Sequence, residues 1–166
     1  YQGASAGKIA HVFKDNFVGL RFTYLTIIAV VVVAKVMTYS GMTQEIADAL
    51  VFATGNAYPI VAPFVGGLGA FITGSCTNAN VLFGPLQTSA AASLGMSPAW
   101  MAGASSLGGC IGKMLSPQSI ALGVGAVGAL AEGKEGEIMR GTAGYCLFLL
   151  IIAGILTFII PSFLTL

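Results

Sequence analysis

Val65–Gly66–Gly67–Leu68–Gly69–Ala70–Phe71–Ile72–Thr73 runs without a charge into Gly74–Ser75–Cys76–Thr77–Asn78–Ala79–Asn80, and then into Val81–Leu82–Phe83–Gly84. A glycine-rich apolar arm meets a polar segment with strong turn chemistry, and a second apolar arm leaves it. As a helix, the first arm (Tyr58 to Thr73) covers only ~24 Å, short of the ~30 Å hydrocarbon core of a bilayer. The second arm, Val81 to Gly95, is shorter still. Short arms around a polar tip predict a re-entrant helical hairpin over residues 58–95, with its tip at 74–80. Two tilted full spans are the alternative. Irregular backbone is tolerated at membrane depth only where protein or a water-filled cavity satisfies its polar groups.

The pattern recurs downstream. Ser97–Pro98 reads as a capped helix start with proline at the first position. A small-residue arm follows, holding Gly103, Ala104, Ser105, Ser106, Gly108 and Gly109. It breaks at Gly112–Lys113–Met114–Leu115–Ser116–Pro117–Gln118–Ser119, where proline removes a backbone donor and disfavours helix at the residue before it. A second arm, Ile120 to Ala131, completes one discontinuous transmembrane helix over 97–131, broken at 112–119.

Outward from the two breaks, the chain reads as ordinary spans and edges. Leu20 to Ser40 is apolar and β-branched, long enough to span, and Gly41 is a plausible stop. Residues 42–56 carry acids near a helix start and apolar Ile46, Leu50 and Val51 on one face, which predicts a short amphipathic interfacial helix, with a plain loop as the alternative. Residues 1–19 read as a solvated cytoplasmic approach, 132–140 as a cytoplasmic loop, and 141–162 as the last transmembrane helix. Lys8, Lys14 and Arg21 on one side, with Lys134 and Arg140, place both basic regions inside. The chain starts at Tyr1 and shows no signal-peptide pattern, so a C-terminal piece of a longer membrane protein is expected.

Composition agrees. Of 166 residues, 56% are hydrophobic and only 8% charged, where soluble domains carry ~25%. Seven basic residues against six acidic leave no electrostatic footprint for a nucleic acid. The three cysteines (Cys76, Cys110, Cys146) fall at no metal-ligand spacing and suggest no disulfide framework. The predicted spans hold no His, Asp or Glu of the kind a membrane enzyme needs, and no repeated pore-lining pattern speaks for a channel.

Pairs of Gly- or Pro-interrupted segments are the best sequence pointer to a transporter binding site. One break carries Ser75, Thr77, Asn78 and Asn80; the other carries Lys113, Ser116, Gln118 and Ser119. All six acids lie outside the predicted membrane core, so Lys113 has no acidic partner there. An intramembrane cation reads by default as functional. Three partners stay open for it: an anionic substrate, a carboxylate elsewhere in the full protein, or a lipid headgroup reached by snorkelling. Lys35 sits near a span end and is read as snorkelling, Ser105 and Ser106 as packing residues, and Gln87 as a helix–helix hydrogen-bonding residue or a ligand contact. Cys76 would need a neighbouring base to act as a nucleophile, and His11 lies in the solvated approach.

Gly74 to Asn80, followed by Leu82–Phe83–Gly84 and Leu86–Gln87, resembles the hairpin signature of the L-lactate permease family. Gly108–Gly109, Gly112–Lys113–Met114 and Ser116–Pro117–Gln118–Ser119–Ile120–Ala121 resemble its second signature. The likeness continues through Gly133–Lys134–Glu135–Gly136 into the last span, and family members are several times longer than this chain. It implies an all-α integral membrane fold, part of an inverted-repeat secondary transporter of the wider ion-transporter superfamily, in a bacterial or archaeal plasma membrane. It further implies uptake of L-lactate, D-lactate or glycolate by proton symport, with no cofactor. The expected partners are the 2-hydroxy acid anion, the lipid bilayer and the rest of the transporter, with self-association left open. By position, Ser75, Cys76, Thr77, Asn78 and Asn80 would form the hairpin side of the substrate site, with Lys113, Ser116, Gln118 and Ser119 opposite. The family usually has Asp or Asn where this chain has Cys76, which puts proton coupling through that position in doubt. The alternatives are another carboxylate transporter of the superfamily, for dicarboxylates, citrate or gluconate and open to sodium coupling, which would need more cations than Lys113 alone, and a non-transporting membrane subunit.

Overall fold

A computed structural model of the chain describes residues 6–19, 21–127 and 133–164. Among the described residues every regular element is helical. In chain order these are α1 (Ala6–Gly19), α2 (Arg21–Tyr39), α3 (Met42–Thr54), α4 (Tyr58–Thr73), α5 (Cys76–Leu94), α6 (Pro98–Lys113), α7 (Pro117–Val127) and α8 (Glu135–Leu164).

The helix ends follow local chemistry. After α2, Gly41 adopts a left-handed φ of 78°, which only glycine takes without strain, and the chain turns into α3. Ser97 caps α6 by accepting from the Trp100 N–H at 3.4 Å, with Pro98 at the first position. α8 begins at Glu135, so most of the 132–140 loop expected from its charges belongs to the first turns of that helix. Its acids, Glu135 and Glu137, sit where the helix dipole favours them. Residues 128–132, which include the end of the expected second arm and Glu132, lie outside the described residues.

The segment before the hairpin also differs from expectation. α3 joins α4 through a single 3₁₀ turn, Gly55–Ala57, rather than lying apart as an isolated amphipathic helix. Met42–Thr73 is thereby long and apolar enough to cross a membrane, as is Glu135–Pro161. Thr43 and Ala47 of α3 are buried, and Ile46, Leu50 and Val51 pack on the main core. The apolar face that reads as lipid-seeking is in fact turned toward protein. Gly55, with φ 54°, still ends α3, and α4 remains a separate helix of 16 residues.

The core is built of small side chains. Ala47, Tyr58, Ala62, Leu86, Ala90, Ala91, Met101 and Ala104 form one buried cluster joining α3, α4, α5 and α6. The helices approach until backbone meets backbone. A methyl added at Gly66 would overlap the Ser105 carbonyl, one at Gly108 the Pro63 carbonyl, and one at Gly112 the Gly67 carbonyl. Glycine is required at these positions by close α4–α6 packing, the mode small residues serve between membrane helices. α8 lies on this pair: the Trp100 indole donates to the Thr157 carbonyl at 3.2 Å, and the Cys146 thiol to the Ile111 carbonyl at 3.3 Å.

Candidate functional site

Both breaks are narrower than their sequence suggests. At the first, only Gly74 and Ser75 leave the helix, and Cys76 to Asn80 already form the first turns of α5. Gly74 ends α4 with φ 65° and donates to the Ala70 carbonyl at 2.8 Å. The Ser75 side chain then accepts from the Asn78 N–H at 3.2 Å and caps α5. Thr73 ties the turn together, donating to the Gly69 carbonyl at 2.8 Å or the Ser75 carbonyl at 3.0 Å. A capped two-residue turn satisfies the donors that a long irregular tip would leave bare.

The second break spans Met114 to Ser116. Three tight bonds close the end of α6: Met114 N–H to Ile111, Leu115 N–H to Gly112 and Ser116 N–H to Lys113, at 3.0 to 3.1 Å. Fully buried Ser116 then caps α7, accepting from the Ser119 N–H at 3.2 Å and donating to Ser119 Oγ at 2.9 Å. Ser75 and Ser116 were both expected at the substrate. In this structure their hydroxyl oxygens cap the helix starts.

The two breaks meet. The Gln118 side chain packs directly against Gly74, so that any side chain there would collide with it. The starts of α5 and α7 therefore converge, and each presents the positive end of its dipole. The Cys76 thiol lies within reach of both the Cys110 thiol and the charge of Lys113. One turn along, Asn80 Nδ2 donates to Ser106 Oγ at 3.0 Å. Thr77, Asn80, Lys113 and Gln118 are exposed, whereas Asn78 is buried.

Among the described residues no acid pairs with Lys113. It stands in the last turn of α6, where a cation also offsets the carbonyl end of the dipole. The result is a junction with one ammonium, two helix N-termini and several neutral hydrogen-bonding groups. That chemistry suits a small anion. Lys35, by contrast, lies 6.0 Å from the centroid of the Tyr39 ring, and His11 is an exposed partner of Asp15 at 2.8 Å.

Three residues were not picked out, or were read otherwise, in the sequence. Ser106, read as packing, pairs with Asn80. Cys110 faces Cys76. Tyr58 is fully buried and donates to Gln87 Oε1 at 3.0 Å, joining the two arms of the hairpin. Gln87 Nε2 is buried without an acceptor. Spacing of four residues on each helix was the available signal for the α5–α6 pairs, but it becomes legible only once the hairpin register is known.

Comparison with known proteins adds the family. The family model described as L-lactate permease matches residues 2–164. An L-lactate permease of Bacillus subtilis is 45% identical over 148 residues, 89% of this chain and 26% of the relative. The Escherichia coli glycolate permease GlcA is 39% identical over 155 residues, 93% of this chain and 27% of that protein. An L-lactate permease of Escherichia coli is 41% identical over 145 residues, 87% of this chain and 26% of it. No solved structure matches the chain. The chain spans about a quarter of the length of these relatives. Its helical architecture, its two apolar helices of spanning length and these matches make it a membrane protein of the L-lactate permease family.

Proposed function

We propose that this chain is part of a secondary transporter that takes up L-lactate, D-lactate or glycolate across a bacterial or archaeal plasma membrane. The chain supplies one of two inverted repeats. The carboxylate binds where the hairpin turn meets the broken helix, held by Lys113 and the starts of α5 and α7, with Thr77, Asn80, Gln118 and Ser119 available to the hydroxyl. The observation that carries this reading is the convergence of Gly74, Cys76, Lys113 and Gln118 from two separate breaks. Re-entrance of the hairpin is supported by its short first arm, α4, and by the meeting of the two polar breaks. Proton symport drives the movement. Cys76 tunes the site without relaying protons, because a thiol is a weaker acid than the carboxyl group usual at that position.

Uptake of labelled lactate into liposomes holding the full-length protein, with and without a pH gradient, tests the reading. Lys113→Ala is expected to lower uptake at least tenfold, while Lys35→Ala stays within twofold of wild type. Undiminished uptake in the Lys113 variant removes that residue from the site. Loss of gradient-driven uptake in Cys76→Ser overturns the passive role given to the thiol.

A further inference from the structure

The α5–α6 interface carries a feature that anion binding does not use. The two helices run antiparallel, joined by the short turn at residues 95–97. Asn80 on α5 and Ser106 on α6 are bonded across them at 3.0 Å. One helical turn nearer the tip on each helix stand Cys76 and Cys110. The same register thus sets the two thiols opposite each other across the interface. Both are free, and neither is sealed in the core: Cys110 is exposed and Cys76 half-buried. Cys146 is different, being fully buried and turned to the Ile111 carbonyl.

We propose that Cys76 and Cys110 form a reversible dithiol–disulfide site that locks the start of α5 to the first half of the broken helix. A disulfide asks for a ~2.05 Å S–S bond between residues whose Cα atoms stand ~4.4–6.8 Å apart, a spacing that facing positions on two adjacent helices can meet. The oxidant is a peroxide. One thiol is oxidised to a sulfenic acid and the peroxide gives up one water. The second thiol attacks that sulfur, the S–S bond forms, and the sulfenic oxygen leaves as a second water with the remaining thiol proton. Two thiols lose two electrons in all, and one hydrogen peroxide becomes two waters. A dithiol reductant reverses the step by exchange. With the disulfide closed, the hairpin turn cannot move relative to Lys113 on α6.

The test uses the full-length transporter in membrane vesicles exposed to hydrogen peroxide, alkylated with N-ethylmaleimide and mapped by non-reducing peptide mass spectrometry. A Cys76–Cys110 linked peptide is expected, absent after dithiothreitol and absent in Cys110→Ser and Cys110→Ala. Recovery of both thiols unlinked, or their linkage to other cysteines, overturns the site. In parallel, wild-type lactate uptake is expected to fall at least fivefold on oxidation and to return on reduction, while Cys110→Ser stays within twofold of its own untreated rate. A linked protein that still transports at full rate overturns the lock. The linkage readout does not depend on the transport reading: a linked peptide in a protein that never carries lactate supports the thiol site and refutes the transport reading instead.

Discussion

The close approach of α4 and α6 makes a sharp demand on glycine. Gly103 and Gly108 lie on the same helix, but a methyl at Gly103 meets nothing within 4 Å, whereas one at Gly108 overlaps the Pro63 backbone. Gly→Ala in a helix interior gains about 1 kcal/mol of intrinsic propensity at either position. At Gly108 no rotamer relieves the overlap, because the obstacle is backbone. The helices must separate by on the order of 1 Å, enough to forfeit a quarter to a half of the dispersion well at each contact. Overpacking of this kind costs up to about 3 kcal/mol. Gly108→Ala should therefore lose about 2 kcal/mol net, and Gly103→Ala should gain about 1, a difference of about 3 kcal/mol or roughly a hundredfold in the unfolding equilibrium. Denaturant unfolding of the purified full-length protein in mixed micelles measures this. Amide hydrogen exchange in α4 and α6 shows whether the loss is local to the pair. Equal stability and equal exchange in the two variants would refute backbone-to-backbone packing.

Two further outcomes follow from the hydrogen-bond pattern. Ser116→Ala removes the α7 cap and should cost about 1 kcal/mol, with exchange quickened in the first turn of α7, while Ser116→Gly should cost only a few tenths. Tyr58→Phe leaves the buried Gln87 amide without its one partner and should cost about 1–3 kcal/mol. Combining it with Gln87→Leu should restore most of that loss in the same unfolding assay, and a double variant no better than the single would show that the pair is not the source.

How far the sequence could be read depended on the range of the cause. Ser97–Pro98 reads as a helix start and Gly41 as a stop, and the helices begin and end there because caps act within a few residues. The two breaks are likewise local, so both were placed, though each came out too wide. Polar residues such as Thr77 and Asn78 look like loop, yet a single Ser75 cap restarts the helix beneath them. Gly55 ends α3 with a φ of 54°, and a 3₁₀ turn then leads into α4, whose placing is decided by packing on α5 and α6. Lys113 stood out because unpaired charge is rare in apolar sequence. Cys110 and Ser106 did not, since their significance lies in the register between two helices, which residue spacing on one helix does not encode.

The bonds from α8 to α6 have a mechanical meaning. Trp100 fastens the beginning of α6 to Thr157, and Ile111 fastens its end to Cys146. Gly108 between these points and Gly112 just past the second lie flush on α4. In engineering terms α6 is a beam clamped at both ends and bedded along its length, and the last clamp sits just before the break. Load applied at the hairpin turn is passed into α4 and α8 as displacement of the whole beam, not as bending. Beyond the last clamp, α7 is braced in its turn, on α8 through Ile120, Val124 and Met139 and on the hairpin turn through Gln118.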